Sequence, residues 1–461
     1  MPQYLSKEEI ADWQPVAAIP GDMSAIDLAR LRMQRAGQWA PWQMIGRRMA
    51  IGCVALEITQ RCNLDCSYCY LSASSEALKD IPIEEVYRRI DLIHAHYGDH
   101  TDVQVTGGDP TLRTRDELVS IVRYIAQKRM RSSLFTNGIR ATRDLLEALC
   151  AAGLEDVAFH VDMTQGRKGY SSERELNAVR EEYIDRAHGL PLAVIFNTTA
   201  FSGNFHEIPD LVRFFVGHAD AVRFVSFQVG ADVGRGTETE HAAVNAGTVM
   251  QAIREGADAE LNFAAAGAGH AECNGYAYGL VINGRVHDFF NDPGFVSEVL
   301  ATSAHLVIKR ADKGALWKTI ARYLANNPRI FWGLSRRLAA LVWRERRGYI
   351  AARGKIGKLS FFVHNFMDSS QLEKPRCEAC SFMVMTPGGP MSMCVHNAKR
   401  DDYLLVAAKL KSGDAIKYFN PATGQLEDRI PDKIVVRLTK KNARGRARHQ
   451  LDVDVEQATV E

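Results

Sequence analysis

The sequence has no long hydrophobic run, no apolar opening segment and almost no net charge. No uninterrupted stretch of about 18 apolar residues occurs, so we do not expect a membrane-spanning helix. The opening MPQYLSKEEIADW lacks the apolar core of a secretory signal. The net charge of +2 balances 57 basic against 55 acidic residues and indicates no particular partner. We expect a cytoplasmic protein and leave open a peripheral attachment to the inner membrane face.

The composition predicts a globular protein that contains metal rather than disulfides. Its 461 residues are 46% hydrophobic and 24% charged, which is ordinary for a globular chain of more than one domain. Nine cysteines are present. Because the cytosol keeps thiols reduced, cysteines in that compartment more often bind metal than form disulfides.

Three of the cysteines stand in one short loop. The stretch LEITQRCNLDCSYCYL places Cys62, Cys66 and Cys69 in a C-x3-C-x2-C pattern directly after a strand-like run, 54–59. Three thiolates cannot complete the tetrahedral site of a structural zinc ion, whereas a 4Fe-4S cluster held by three cysteines leaves one iron open. A zinc knuckle and three unrelated buried thiols are the alternatives.

The spacing of this loop, with Tyr68 just before the third cysteine, resembles the hallmark motif of the radical S-adenosylmethionine (SAM) superfamily. In that family the amino and carboxylate groups of SAM chelate the open iron, so the resemblance implies both cofactors. It also implies that a reduced cluster splits SAM into methionine and a 5′-deoxyadenosyl radical, which removes hydrogen from an unactivated carbon. An external reductant such as flavodoxin or ferredoxin would supply the electron.

From residue 54 onwards, strand-like and helix-like stretches alternate, which is typical of a parallel α/β sheet. The predicted strands are 54–59, 102–106, 132–136, 156–161, 192–199 and 221–228, and the predicted helices are 82–97, 115–128, 142–152, 171–188 and 205–218. Six units predict an α/β fold with a partial (β/α)6 TIM-like barrel. In such barrels functional residues lie at the C-terminal ends of the strands.

Glycines and an acidic residue follow the second predicted strand. Gly107, Gly108 and Asp109 resemble the superfamily motif that receives the amino group of SAM, with Asp109 in place of the commoner Glu. Glycines at a strand end let a ligand approach the backbone, although a plain turn is the alternative.

Polar residues also end the later strands. Asp162 follows the fourth strand, where related enzymes contact the cofactor's ribose, and a helix cap is the alternative. Asn197, near the end of the fifth strand, has a similar interpretation, and Gln228 ends the sixth. Arg235 follows, and an arginine can clamp the methionine carboxylate of SAM. A surface arginine is the alternative.

Four further cysteines form a second candidate site. Cys377, Cys380 and Cys394 lie in RCEACSFMVMTPGGPMSMC, whose Pro- and Gly-rich turn would return a strand to the first two. Cys273 precedes another strand-like run. Four thiolates predict a second, closed 4Fe-4S cluster, with zinc as the alternative.

A strongly basic segment, residues 305–358, contains fourteen Lys or Arg and two acids. Its apolar and basic residues fall on opposite sides of a helix. The apolar side comprises Phe331, Leu334, Leu338, Leu341 and Val342, and the basic side Arg329, Arg336 and Arg347. With Trp332 and Trp343 nearby, this pattern predicts a helix at an anionic membrane surface. A packed helix with a solvated basic face is the alternative, and no nucleic-acid motif accompanies the charge.

The C-terminal part resembles a subgroup of radical enzymes, the archaeal tetraether lipid synthase and the dihydropterin methylase-like enzymes with an auxiliary iron–sulfur cluster. The similar positions are HNFMD at 364–368, Cys377, the glycines at 388–389, Cys394 with Asn397, and Cys273 preceded by His270. The subgroup implies a lipid or isoprenoid substrate changed by C–C bond formation or methylation. A peptide or pterin substrate and a non-catalytic iron–sulfur sensor are the alternatives. Cys380 departs from the subgroup pattern.

These patterns divide the chain into four parts. We predict an N-terminal extension at residues 1–53, the partial barrel at 54–240, and a C-terminal auxiliary-cluster and substrate domain at 241–437. Residues 438–461 lack apolar periodicity and predict a mobile tail.

Overall fold

The structure is a computed structural model. It describes residues 3–16, 52–237, 244–303, 305–306, 313–412, 415–439 and 441–458, together with residues 23, 27, 30, 31, 33 and 34. The predicted boundary at residue 240, most of the N-terminal extension and part of the basic segment lie outside the described residues.

A short helix, α1 (Lys7–Asp12), precedes six strands that alternate with five helices. The strands are β1 (Cys53–Thr59), β2 (Asp102–Gly107), β3 (Arg131–Thr136), β4 (Leu154–His160), β5 (Ala193–Ala200) and β6 (Val222–Val229). The helices are α2 (Ile83–Tyr97), α3 (Arg115–Gln127), α4 (Arg143–Ala152), α5 (Asn177–Ala187) and α6 (Ile208–Gly217). The predicted α/β order is confirmed, and the largest boundary difference is the start of α5, which was predicted at residue 171.

Five later strands extend the same sheet at both edges. They are β7 (Asn274–Ile282), β8 (Arg285–Asp288), β9 (Gly357–Asn365), β10 (Phe382–Thr386) and β11 (Gly389–Ser392). The 11-stranded order is β11-β10-β1-β2-β3-β4-β5-β6-β9-β7-β8, so the sheet does not close among the described strands. β10 pairs parallel to β1, and β9 pairs parallel to β6. The six parallel units therefore form a partial barrel that the C-terminal part of the chain widens.

The remaining elements surround this sheet. The helices are α7 (Ala246–Ala257), α8 (Pro293–Ser303), α9 (Lys313–Asn326), α10 (Pro328–Arg344), α11 (Arg346–Ala351), α12 (Lys374–Glu378), α13 (Met393–Ala398), α14 (Asp401–Leu404) and α15 (Gly445–Ala458). A separate antiparallel sheet contains β12 (Ala408–Ser412), β13 (Ala415–Phe419) and β14 (Leu426–Glu427).

Alternation along the strands separates a dry core from a polar concave face. In β2, Val103 and Val105 are fully buried in the main apolar cluster beneath the helices. Gln104 and Thr106 point the other way because successive strand side chains face opposite sides of a sheet, and both line the concave interior. The core thus lies between helices and sheet, and the other face of the sheet is free to form a site.

The first residues of the chain pack against its C-terminal cysteine region. Leu5 N donates to Leu372 O at 2.8 Å, and Lys374 N donates to Gln3 O at 2.8 Å. The Leu5 side chain is buried in one apolar cluster with Cys377 and Cys394. The described part of the N-terminal extension therefore supports the second cysteine region.

The structure places a helix, α15, where we predicted a mobile tail. Gly445 N donates to the Asp65 carboxylate at 3.1 Å, and Arg446 N donates to Arg235 O at 3.1 Å. The Arg446 guanidinium also binds Asp232 at 2.5 Å. Hydrogen bonds and an ion pair, rather than an apolar face, anchor the start of this helix. Hydrophobic periodicity therefore could not predict the helix.

The basic segment forms helices α9 to α11, and its predicted apolar side is only partly buried. Of that side, Leu341 is buried, but Phe331 and Leu338 are each 40% exposed. A ring contact at 4.7 Å joins Arg337 to Phe295 of α8. Among the described helices, none combines the length and the apolar character needed to cross a lipid bilayer.

A buried ion pair fixes α5 beneath the end of β4. The side chains of Arg180 and Glu173 are both almost completely inaccessible and form an ion pair. Arg180 also donates to Val161 O at 2.8 Å and to Glu173 O at 2.7 Å. The guanidinium thus satisfies the backbone directly after β4 as well as the carboxylate.

Replacing Arg180 with methionine should destabilise the fold strongly, because it leaves the buried Glu173 carboxylate without its cation. Breaking a buried pair in this way costs roughly 3–5 kcal/mol. Urea unfolding measures the loss. Arg174→Met, at an exposed position just before the same helix, is the control and should change stability by less than about 0.5 kcal/mol. Equal effects of the two variants would contradict the structural role of the pair.

Candidate functional site

A cavity of about 440 Å³ occupies the concave face of the sheet. Strands on both sides of β1 contribute to its walls, and Cys62, Cys66 and Cys69 line it at the carboxyl ends of the parallel strands. The loop that carries these cysteines follows β1 and has no helix or strand of its own between residues 60 and 72. The cavity therefore joins the predicted cysteine loop to the interior of the partial barrel.

Hydrogen bonds from three directions hold the cysteine loop. Cys62 N donates to Glu76 Oε1 at 3.0 Å, and Ser67 N donates to Thr164 O at 2.8 Å. Gly236 N donates to Cys69 O at 3.2 Å from the segment after β6. The backbone of the loop is thus fixed before any ligand binds.

The environment of the three thiols suits an anionic cluster. Burial raises the pKa of Cys62 to about 11, and burial and the neighbouring Cys69 raise the pKa of Cys66 well above its usual value. Thiolates here need positive charge, which iron would supply. The buried Arg235 guanidinium lies against Cys69, and its Nε and Nη1 find no hydrogen-bond partner among the described residues. This donor set fits a 4Fe-4S cluster.

Arg235 does not take the position we predicted for it. Its Nη2 donates to Glu76 Oε1 at 3.2 Å, and its backbone N donates to Leu71 O at 2.8 Å. It is not among the residues that line the cavity. In the structure Arg235 supports the cysteine loop from behind, and the clamp on the SAM carboxylate stays a prediction.

Five of the predicted cofactor residues do line the cavity. They are Tyr68, Gly107, Gly108, Asn197 and Gln228. Asn197 is only 3% exposed. In the described part of the chain no hydrogen bond is made by its side chain, so its carboxamide is available to a molecule inside the cavity.

Gly107 and Gly108 allow the end of β2 to approach the cysteine loop. A Cβ on Gly108 would stand 2.0 Å from Arg61 O, and one on Gly107, at φ +129°, would stand 1.9 Å from Thr59 O. Gly108 N donates to Thr59 O at 2.9 Å. The glycines are required by this backbone contact, whereas we had predicted that they make room for SAM.

Asp109 is buried and saturated by protein donors. It accepts hydrogen bonds from Thr111 N at 3.0 Å, Thr136 Oγ1 at 2.8 Å and Asn137 N at 2.8 Å. Its carboxylate does not line the cavity. In the structure Asp109 joins the ends of β2 and β3, and its predicted contact with the amino group of SAM stays a prediction.

Asp162 has the same kind of role after β4. It accepts from Thr164 N at 3.0 Å and Thr199 N at 2.7 Å, and it pairs with His160 Nε2 at 2.6 Å. Burial would raise the pKa of Asp162, but His160 and these donors hold it at about 2. The helix-cap alternative is correct, and His160, not Asp162, faces the cavity.

Sequence reasoning missed many charged or polar side chains in the cavity wall, among them Glu57, Gln104 and Arg400. Glu57 interrupts the apolar strand β1, and Gln104 is a polar position in the alternation of β2, so both patterns could have indicated these residues. Arg400 lies far along the chain from both and carried no such signal.

Cys273, Cys377, Cys380 and Cys394 come together beside β10 and β11. Burial, together with the neighbouring Cys380, raises the pKa of Cys273 to about 11 and that of Cys394 to about 12. Burial and then Cys394 raise the pKa of Cys377. No three His, Cys, Asp or Glu side chains in the described ranges converge tightly enough for a single metal ion. The side chains that bind a single metal ion must lie closer together than the four cysteines that bind the corners of a cubane cluster.

Gly108→Val should displace the cysteine loop, because its side chain would meet the Arg61 carbonyl. We expect the variant to lose most of the iron bound at the loop and to be destabilised by roughly 1–3 kcal/mol. Iron analysis after anaerobic reconstitution and urea unfolding measure the two effects. Gly217→Val, whose Cβ would meet nothing within 4 Å, is the control. Normal iron content in Gly108→Val would contradict this role.

Comparisons with known proteins agree with the site. The sequence profile of the Radical SAM superfamily matches residues 56–215. The chain is 33% identical to the GTP 3′,8-cyclase of Streptomyces coelicolor over 43% of this chain and 59% of that protein. It is 26% identical to the 7,8-dihydro-6-hydroxymethylpterin dimethyltransferase of Methanocaldococcus jannaschii, over 39% and 36% of the two chains.

A third relative is the antilisterial bacteriocin subtilosin biosynthesis protein AlbA of Bacillus subtilis, with 29% identity over 41% of this chain and 42% of that protein. The chain thus spans between 36% and 59% of the length of these three relatives. The matched region contains the cysteine loop and most of the six-stranded parallel sheet. Residues 56–215 are therefore a radical SAM superfamily domain.

Proposed function

We propose that the chain is a radical SAM enzyme whose Cys62, Cys66 and Cys69 hold a 4Fe-4S cluster. The observation that carries the proposal is that these thiols and the concave face of the sheet line the same cavity. When bound, the cluster and SAM supply a 5′-deoxyadenosyl radical, which takes hydrogen from an unactivated carbon. An external reductant such as flavodoxin or ferredoxin delivers the electron. A sensor without a substrate has no need of such a cavity.

The chain's own residues hold and shield this chemistry. Arg235 offers a buried positive charge beside Cys69, which offsets the negative charge of ligating thiolates. The concave cavity recesses the site from the protein surface, and a reactive radical requires shielding from water. Asn197 and Gln228 face the interior, where each can orient SAM or the substrate.

A polar substrate suits the cavity better than a hydrocarbon. Gln104, Asn197 and Gln228 project carboxamides into it from three strands. A lipid or isoprenoid chain, as the subgroup resemblance implied, would leave buried amide groups unpaired at about 1–3 kcal/mol each. The relatives named above act, by their names, on GTP and on a pterin or serve the synthesis of a bacteriocin. We therefore favour a peptide or pterin-type substrate.

The second set of cysteines is proposed to hold a second 4Fe-4S cluster. Its four thiols are mutual electrostatic neighbours, which favours a shared positive centre. Cys394 lies in α13, and Asn397 of the same short helix lines the cavity. A cluster there would fix the wall from which Asn397 projects.

Anaerobically reconstituted protein should contain about eight irons, and the Cys62, Cys66, Cys69→Ala variant about four, because two cubanes bind independently. The variant should also lose reductive cleavage of SAM. Iron analysis and detection of 5′-deoxyadenosine measure the outcomes. Replacing Cys150, which stands apart in α4, with Ala is the control. Unchanged iron in the triple variant would refute the assignment.

We further propose that α10 and α11 lie at an anionic membrane surface. Trp332 is 69% exposed and Trp343 is 73% exposed. The spacings of three, four and seven residues through Arg329, Trp332, Arg336 and Trp343 place all four on one side of α10. Cations interleaved with exposed indoles are complementary to acidic headgroups and the interface below them. This proposal concerns attachment and does not require a lipid substrate.

Replacing Arg329, Arg336 and Arg347 with glutamine should weaken binding to anionic vesicles by roughly two orders of magnitude. Each cation near the surface contributes roughly 1 kcal/mol, so the summed loss is about 3 kcal/mol. Salt should remove most of the difference, since the screening length is about 8–10 Å. Vesicle cosedimentation at low salt is the measurement.

The matched control for this experiment replaces three exposed arginines elsewhere, Arg115, Arg174 and Arg213, with glutamine. It lowers the net charge equally but leaves α10 and α11 intact. Equal binding by the two triple variants would leave the segment as a helix with a solvated basic face.

A further inference from the structure

One wall of the cavity combines groups from opposite ends of the chain. Glu57 of β1 and Gln104 of β2 meet Asn397 of α13 and the following Arg400, and all four line the cavity. The register pairs Ala55 with Gln104 and Glu57 with Thr106, so Glu57 and Gln104 are diagonal neighbours. We call these four residues the amide wall.

The amide wall has no net charge. Arg400 Nη1 donates to Glu57 Oε1 at 2.5 Å, and the two residues are only 3% and 6% exposed. Burial would raise the pKa of Glu57, but Arg400 and neighbouring groups lower it to about 2, so the carboxylate is charged at neutral pH. An anionic ligand group would be repelled by Glu57, and a cationic one by Arg400. The wall therefore favours a neutral group.

The wall still has hydrogen-bonding capacity after its internal contacts are made. Gln60 Nε2 donates to Glu57 Oε2 at 2.9 Å, so each carboxylate oxygen accepts one internal hydrogen bond and has a lone pair left. Arg400 Nη2 donates to Asn397 Oδ1 at 2.6 Å, yet Arg400 Nε is buried without a hydrogen-bond partner in the described part of the chain. The Gln104 side chain makes no hydrogen bond to any described residue and faces the cavity. Buried polar groups that the protein itself leaves unsatisfied indicate a ligand or ordered water.

The geometry points to a neutral amide of the substrate as the group that this wall binds. We propose that the Glu57 carboxylate accepts its N–H while the Gln104 and Asn397 carboxamides donate to its C=O. A peptide unit and the lactam edge of a nitrogen heterocycle share this chemistry. The inference rests on the proposed function for the view that the cavity is a substrate site, and it names the group that fixes the substrate there.

Binding of small probes to the anaerobically reconstituted full chain tests the proposal. N-acetylglycinamide represents the peptide unit, pterin the ring lactam, and geraniol a hydrocarbon substrate. Ligand-observed NMR titration gives each dissociation constant. At least one amide probe should bind more tightly than geraniol, and the one that binds identifies the source of the amide.

Gln104→Met keeps the size of the side chain and removes its hydrogen bonds. It should raise the dissociation constant of the amide probe about tenfold, which is the effect of one lost hydrogen bond in a desolvated site. The same substitution at the exposed Gln251 of α7 is the control and should change nothing. Because Gln104 has no described side-chain partner, the variant should keep the unfolding midpoint of the parent.

Three results would overturn the amide wall: neither amide probe binds, geraniol binds more tightly than both, or Gln104→Met and Gln251→Met bind the probe equally. Reductive cleavage of SAM, measured on the same preparations, separates this inference from the proposed function. If SAM is cleaved but no amide probe binds, only the proposal of the amide wall is contradicted. If an amide probe binds but SAM is not cleaved, the proposed radical reaction is contradicted and the amide wall remains a binding site.

Discussion

The site depends on the close approach of two backbones, the end of β2 and the loop that carries the three cysteines. Only a residue without Cβ can stand where Gly108 stands, because the Arg61 carbonyl occupies that space. Arg235 then supports the far side of the loop, and Gly445 at the start of α15 donates to Asp65 within it. Chemistry at the mouth of the cavity thus relies on packing between main-chain segments that are distant in sequence.

The sequence predicted the six-unit sheet because that information is local. Alternation such as that of β2 marks a strand with one dry face, and helices such as α3 carry their own apolar stripe. Asp109 and Asp162 also carried a sequence signal for the capping contacts that the structure shows. In both places a threonine follows two residues later, and the carboxylate caps it in a short 3-10 turn. A D-x-T pattern after a strand is better read as a cap.

What the sequence could not predict is the set of contacts between its ends. Arg400 reaches Glu57 across 343 positions, and Gly445 reaches Asp65 across 380. No periodicity relates such pairs, because they form only when β10 and β11 extend the sheet beside β1 and bring α13 over the cavity. The cysteine spacing predicted the chemistry of the loop. The residues on the other side of the cavity could be identified only from the three-dimensional structure.

The Glu57–Arg400 pair is hard to explain by stability alone. The free energy needed to desolvate two charges usually offsets the stabilisation from their attraction. Apolar residues of similar volume often stabilise a protein more than a buried ion pair does. The pair lies on the cavity wall, and a buried nitrogen of Arg400 lacks a partner among the described residues. Recognition of a neutral polar group accounts for both facts. Since Arg400 follows the helix that carries Cys394, a metal centre at the second cysteine set would also fix the position of this ion pair.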